Sequence, residues 1–268
     1  TAANALRVPV ASGVPGISQA FQFPDGGGGL PGGFLNSPTG LENLDGLDIT
    51  ADSATIEMWI RPGVLSMPRG QVLLEAGGAN NGLGLGIDLD GNVQLSITNG
   101  PVNAQVVQPI GGAPADFIQV VGVIDVQADQ LELYINDIVG GLGGASAASL
   151  NGITDWADAT EVGLGGVFGS PGGNLPGLFG DFAGDIAVLR FYPYAMDATE
   201  IANLAMADQS EQRIRMDLTA LLPEGLPDEV YLTPGAGFVG IGATIPEPVT
   251  ASTLILAGVV LLRRRRAV

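Results

Sequence analysis

The stretch Ala54–Arg61, ATIEMWIR, decides the fold class. Ile56, Met58 and Ile60 fall on one side of an extended chain, and Thr55, Glu57, Trp59 and Arg61 on the other. This is the period of two expected of a strand with one buried face. Pro62 ends it, having no amide to give to a ladder. The same period recurs outward from here. Gln71–Ala76 (QVLLEA) reads as a strand, and Leu83, Leu85 and Ile87 alternate with glycines. Asp90-Gly91 marks a hairpin, after which Val93, Leu95 and Ile97 return within Asn92–Thr98. Phe117–Asp125 is rich in β-branched residues. Leu131, Leu133 and Ile135 alternate with Glu132 and Tyr134, and Asn136-Asp137 is expected to turn the chain into Ile138-Val139.

Shorter strands are expected at Ser18–Phe23 and Thr160–Gly165, a strong one at Phe182–Tyr192 (FAGDIAVLRFY), and a further candidate at Glu229–Leu232. Thr1–Gly16 reads as a loose lead-in, and Gly140–Asp158 and Val167–Gly180 as long loops. Asp197-Ala-Thr-Glu200 has the spacing of a capping box and opens a short helix to about Ala207. Roughly ten strands with one terminal helix predict an all-β, two-sheet antiparallel sandwich.

Charge and composition narrow the chemistry. The 268-residue chain has a formal charge of −18 and ten basic residues, all arginine, four of them in Arg263–Arg266. Nucleic acid and anionic lipid are repelled by such a chain, which leaves divalent cations and neutral or cationic sugars as partners. Cysteine and histidine are both absent. That excludes disulfides, thiol and serine–histidine catalysis, and zinc sites of the usual ligand set. With Thr1 in first place and no apolar leader after it, a secretory signal peptide is expected to have been removed.

The last 24 residues form three parts: Pro246-Glu247-Pro248, a 14-residue apolar run Val249–Leu262, and Arg263, Arg264, Arg265 and Arg266. As a helix the run spans roughly 21 Å, short of the ~30 Å hydrocarbon core. Flanking arginines can snorkel to make up part of the difference. The arginines hold that end on the cytoplasmic side, so the rest of the chain lies outside. A buried C-terminal hydrophobic helix with a solvated basic end is the alternative. This tripartite tail resembles the PEP-CTERM sorting signal of Gram-negative, exopolysaccharide-producing bacteria. The resemblance implies an exosortase, a membrane protease that recognises the Pro-Glu-Pro end and removes the tail. It also implies secretion through the inner membrane and display at the cell surface or in the extracellular matrix.

A second resemblance covers about Gly16–Ala207. AFQF-PDGG, ATIEMWIRP, the dyad GLGIDLDGNVQLSI, LELYIND and GDIAVLRFYPYAMDATEI stand in the order and spacing of LamG-like jelly rolls of the concanavalin A-like lectin/glucanase class. The chain then divides into a lead-in (1–15), the jelly roll (16–207), a stalk (208–244) and the sorting segment (245–268). Two positions depart from the family pattern: Val188 stands where an acid is common, and Asp137 where the hairpin usually has glycine. The resemblance implies a calcium ion at a sandwich rim, with Asp25 and Asp185 as its ligands where the first strand meets the last. Laminarinase-type members carry Glu-x-Asp-x-x-Glu, which supplies the paired carboxylates of retaining hydrolysis. No such motif occurs here, so a non-enzymatic protein is expected. Trp59, Trp156 and Tyr194, with Tyr192, are candidate stacking platforms for sugar rings. Two functions stay open: a module binding exopolysaccharide, another surface glycan or a protein, and a structural subunit that self-associates through strand edges.

Overall fold

The alternating segments pair into two sheets laid face to face. The computed structural model describes residues 6–14, 17, 19–23, 35–37, 53–63, 65, 69–77, 81–112, 114–137, 141–154, 162–166, 175, 179–192, 194–206, 214–217 and 229–232. In chain order the strands are β1 (Leu6–Pro9), β2 (Gln19–Phe23), β3 (Leu35–Ser37), β4 (Ala54–Pro62), β5 (Gly70–Gly77), β6 (Asn81–Ile87), β7 (Asn92–Asn99) and β8 (Val102–Pro109). They continue with β9 (Ile118–Asp125), β10 (Gln130–Asp137), β11 (Gly141–Ser149), β12 (Val162–Leu164), β13 (Phe179–Asp181) and β14 (Gly184–Tyr192). Helix α1 (Ala198–Met206) follows, then β15 (Ile214–Asp217) and β16 (Glu229–Leu232).

The larger sheet runs β1-β2-β14-β4-β9-β10-β11, with β15 and β16 joined beside β14. The smaller runs β3-β12-β5-β6-β7-β8, with β13 on β5. Nearly all pairings are antiparallel; β13 on β5 and β15 on β14 are parallel. The first and last strands of the jelly roll lie side by side, with Asp185 opposite Gln22. Together the two sheets and the short helix after β14 make a jelly-roll sandwich.

The expected core lies between the sheets. Ile56, Met58 and Ile60 from β4, Leu83, Leu85 and Ile87 from β6, Val93, Leu95 and Ile97 from β7, and Leu131, Leu133 and Ile135 from β10 form one buried cluster. Each such side chain contributes about 1.5–3 kcal/mol by leaving water. Gly122 on β9 makes room for Leu95: a Cβ at that position meets Leu95 Cδ2 at 2.8 Å, so the leucine would have to shift.

Four expectations are corrected. Gly140–Asp158 contains the nine-residue strand β11, paired along β10 and out to the sheet edge, where a loop is expected. Its sequence, GLGGASAAS, carries no apolar alternation, so its strand conformation comes from its pairing. Leu6–Pro9, read as part of a loose lead-in, pairs with β2. β4 is not half-buried. Thr55, Glu57 and Trp59 are as buried as the residues facing the core, because other segments cover the outer side of the sheet. β15, in the expected stalk, lies against β14. Among the described residues no helix is long and apolar enough to cross a membrane, and the sorting segment 245–268 lies outside them.

Candidate functional site

Alternation gives each sheet a face turned away from the core, and the two faces are built differently. On the larger sheet, Trp59 packs with Val14, Ile17, Ala20, Phe117, Ala187 and Val188. Nearby, Ile201 of α1 and Met196 just ahead of it pack against Val121 and Val123. The capping box holds that helix as expected: Asp197 Oδ1 accepts from the amides of Thr199 and Glu200 at 2.7 and 2.9 Å, and the Asp197 amide donates to Glu200 Oε2 at 2.9 Å.

Between these two clusters lies Glu57, fully buried. Its Oε1 accepts from Trp59 Nε1 at 2.9 Å and Gln119 Nε2 at 2.8 Å. Its Oε2 accepts from Arg190 Nη1 at 3.0 Å and the Tyr192 hydroxyl at 2.9 Å. Gln119 Oε1 in turn accepts from Asn136 Nδ2. Three adjacent strands, β14, β4 and β9, thus supply one carboxylate with partners, which is what a buried charge requires, and β10 extends the network through Asn136. Burial alone lowers the affinity of Arg190 for its proton, but the charges of Glu57 and Tyr192 more than offset this, and the guanidinium is held above its ordinary value. Burial, then the charge of Glu57, push the Tyr192 hydroxyl well up. The network holds the sheet together, and Trp59, which is 0% exposed, has no ring face left for a sugar.

The other expected site residues are scattered. Tyr194 is 44% exposed, with its ring edge-on to Tyr192 at 6.4 Å between centroids and its carbonyl accepting from Thr55 Oγ1. Trp156 and Asp25 lie outside the described residues, as do Pro246, Glu247, Pro248 and Arg263–Arg266. Asp185 is nearly buried, and its Oδ2 accepts from Arg61 Nε at 3.0 Å and Nη2 at 2.8 Å. The Arg61 guanidinium lies 4.9 Å from the centre of the Phe117 ring. Asp185 Oδ1 is buried without a hydrogen-bond partner. Among the described residues no group of three or more acids gathers, and the second expected calcium ligand, Asp25, lies outside them.

The outer face of the smaller sheet has the opposite character. Gly82, Gly84 and Gly86 alternate with the core leucines and isoleucine of β6, so the outward positions of this strand carry no side chain. Register sets polar residues beside them: Thr98 opposite Gly82, Ser96 opposite Gly84 and Gln94 opposite Gly86. On the other flank Glu75 lies between Gly84 and Gly163. One row across the sheet therefore reads Gly163, Glu75, Gly84, Ser96, Gln105. The result is a row of glycines with polar banks, and it is closed from water: Ser96, Glu75, Gln94 and Thr98 are buried, as are Gly82, Gly84 and Gly86. Exposure begins only at β8, with Asn103 and Gln105. Asn103 Nδ2 bridges Ser96 Oγ and Thr98 Oγ1 at 3.2 and 3.0 Å. Gln94 is 4% exposed, yet its Nε2 has no hydrogen-bond partner.

The glycine alternation of β6 was legible in the sequence, but the polar banks were not, because nothing in the sequence marked which residues face Gly84 across the ladder.

This sandwich is similar to several solved structures. The binding domain of botulinum neurotoxin DC, in complex with rat synaptotagmin II, is 14% identical over 77% of this chain and 45% of that one, with a TM-score of 0.51. The CBM40 of Ruminococcus gnavus IT-sialidase, bound to α2,3-sialyllactose, is 15% identical over 75% of this chain and 99% of that one, with a TM-score of 0.48. Domains LG4-5 of the mouse laminin α1 chain are 18% identical over 66% and 44%, also at 0.48. This chain spans less than half of the neurotoxin and laminin chains, and likeness at these identities concerns the fold. Comparison with curated proteins finds no match. A family model, Laminin_G_3, matches residues 37–202, more than half of the sequence and including the central strands of both sheets. With that match and the two-sheet architecture in agreement, the chain belongs to the concanavalin A-like lectin/glucanases superfamily.

Proposed function

We propose that this is a non-enzymatic, secreted protein of a bacterial surface or extracellular matrix, and that its jelly roll binds glycan. The observation that carries this reading is the match of residues 37–202 to the concanavalin A-like lectin/glucanases family model, in a two-sheet sandwich. The lack of Glu-x-Asp-x-x-Glu in the sequence supports binding rather than hydrolysis.

Glycan-panel binding by the purified chain tests the reading. We expect retention on at least one polysaccharide that survives molar salt; no retention on any polysaccharide overturns it. Export and tail removal by an exosortase belong to the same proposal, supported by Pro246-Glu247-Pro248, the apolar run and the four arginines. Glu247→Ala is expected to leave a heavier, unprocessed chain by intact mass, and equal mature masses count against sorting.

One observation favours assembly as a second reading. β11 is a sheet edge of nine residues without charge or proline, and such edges invite pairing with another strand. Self-association that Ala145→Lys abolishes supports it.

A further inference from the structure

We infer that the glycan site is a shelf on the outer face of β10 and β11, where a neutral sugar chain meets the Tyr134 ring and the Glu132 carboxylate. This rests on the glycan-binding reading above and names the site and the ligand class. On the larger sheet, Ile201 of α1 covers Val121 and Val123 of β9. Beyond β9 the face opens. Register sets three rows across the next two strands: Gln130 opposite Ser149, Glu132 opposite Ala147 and Tyr134 opposite Ala145. These side chains turn outward, because Leu131, Leu133 and Ile135 between them fill the core. Tyr134 and Glu132 are half-buried, whereas Gln130, Ala145, Ala147 and Ser149 are exposed. The surface therefore steps down from a tyrosine to two methyl groups, and neither alanine is long enough to cover the ring.

The groups on this shelf are held in place and still reachable. Tyr134 packs against the cluster of Val121, Val123 and Ile201, and its hydroxyl donates to Glu132 Oε2 at 2.8 Å. Glu132 Oε1 accepts no hydrogen bond among the described residues, and it is open to water. A fixed aromatic ring beside a free carboxylate oxygen is the mixture of apolar surface and few placed polar groups that small-molecule sites use. The C–H face of a sugar packs on the ring, and one of its hydroxyls donates to Oε1 in a charge-assisted bond. The three rows run about 14 Å along the strands, so a chain fills the shelf better than a single ring. Uronate and sulfate groups are recognised by arginine forks. No basic residue occurs between Arg69 and Arg190, and Arg190 is tied to the buried Glu57. The charges that act on the Tyr134 hydroxyl, from Glu132 and Asp197, are both negative. An acidic polymer is repelled here.

The test is retention of the full chain at molar salt on immobilised neutral polymers (a glucan, a mannan and a galactan) and on a polyuronate. Ala147→Arg lays a long side chain on the shelf and a cation directly opposite Glu132, a favourable cross-strand pair. It is expected to abolish neutral retention with the unfolding midpoint kept. Glu132→Gln keeps the shape, removes the charge and is expected to weaken retention about tenfold; it carries the test should Ala147→Arg lower the midpoint. Neutral retention that both variants leave intact overturns the shelf, while glycan binding elsewhere on the domain stands. Retention on the polyuronate alone overturns the neutral ligand. No retention on any polymer overturns the glycan-binding reading and the shelf with it. A chain that retains no polymer, dimerises by sedimentation and becomes a monomer in Ala147→Arg has a second copy on this face, which also overturns the inference.

Discussion

The outer faces of the two sheets start from the same alternation and reach opposite ends. On the larger sheet both oxygens of Glu57 are matched by donors from β4, β9 and β14, and the face is sealed by the lead-in and α1. On the smaller sheet the outward positions of β6 hold no side chains, and a buried amide nearby is unmatched. Around Glu57 and around Gln94 both faces are closed from water, but one is saturated with hydrogen bonds while the other keeps a donor unspent. The family motif residues Trp59, Arg190 and Tyr192 belong to the saturated face.

The comparison is broken most severely by removing one charge of the sealed face. Arg190→Met leaves Glu57 buried without its cation and is expected to cost about 3–5 kcal/mol, read by urea unfolding. A loss below about 1 kcal/mol means that the pair is not closed from water. A matched pair of amide substitutions sharpens the contrast. Gln119→Met removes a donor to Glu57 and an acceptor for Asn136, and is expected to cost about 1–3 kcal/mol; Gln94→Met removes a donor that has no partner and is expected to be neutral or stabilising. Equal losses erase the distinction between the faces. A smaller effect is expected at the helix that covers β9: Asp197→Ala loses the cap and about 1 kcal/mol, while Asp197→Asn retains most of it.

The last prediction concerns alkaline pH. Burial, then its bond to Glu132, push the Tyr134 hydroxyl from 10.0 up to about 12. A raised folded-state value means that stability is fully present below the unfolded value and is lost as pH rises through the folded one. The melting temperature should therefore fall from about pH 10 toward pH 12. Tyr134→Phe should flatten part of that fall, and Tyr192, buried and shifted the same way, should account for more of it. A wild-type melting temperature constant over this range contradicts the burial of both hydroxyls.

The core was legible in the sequence because it needs only a period of two. Ile56, Met58 and Ile60, like Leu131, Leu133 and Ile135, declare their face without knowledge of their neighbours. β11 was hidden because glycine, alanine and serine carry no apolar rhythm, and its strand conformation depends on register with β10. The second buried face of β4 was hidden because its cover comes from far along the chain: Val14 and Phe117 for Trp59, and Arg190 for Glu57. The outer face of the smaller sheet was half legible. Its glycines stand in the sequence at every second position, while Gln94, Ser96 and Glu75 flank them only through pairing.

The adjacency of β2 and β14 has a mechanical consequence. In this antiparallel pair Phe23 lies opposite Gly184 and Phe21 opposite Ile186, so the start of β2 points the same way as the end of β14. A tensile load applied between the two ends of the domain enters both strands from one side and peels the ladder open bond by bond. A load between the smaller sheet and the end of β14 takes a different path. It crosses the apolar interior and pulls on many side chains at once, so the direction of pull decides whether the domain behaves as a zipper or as a block.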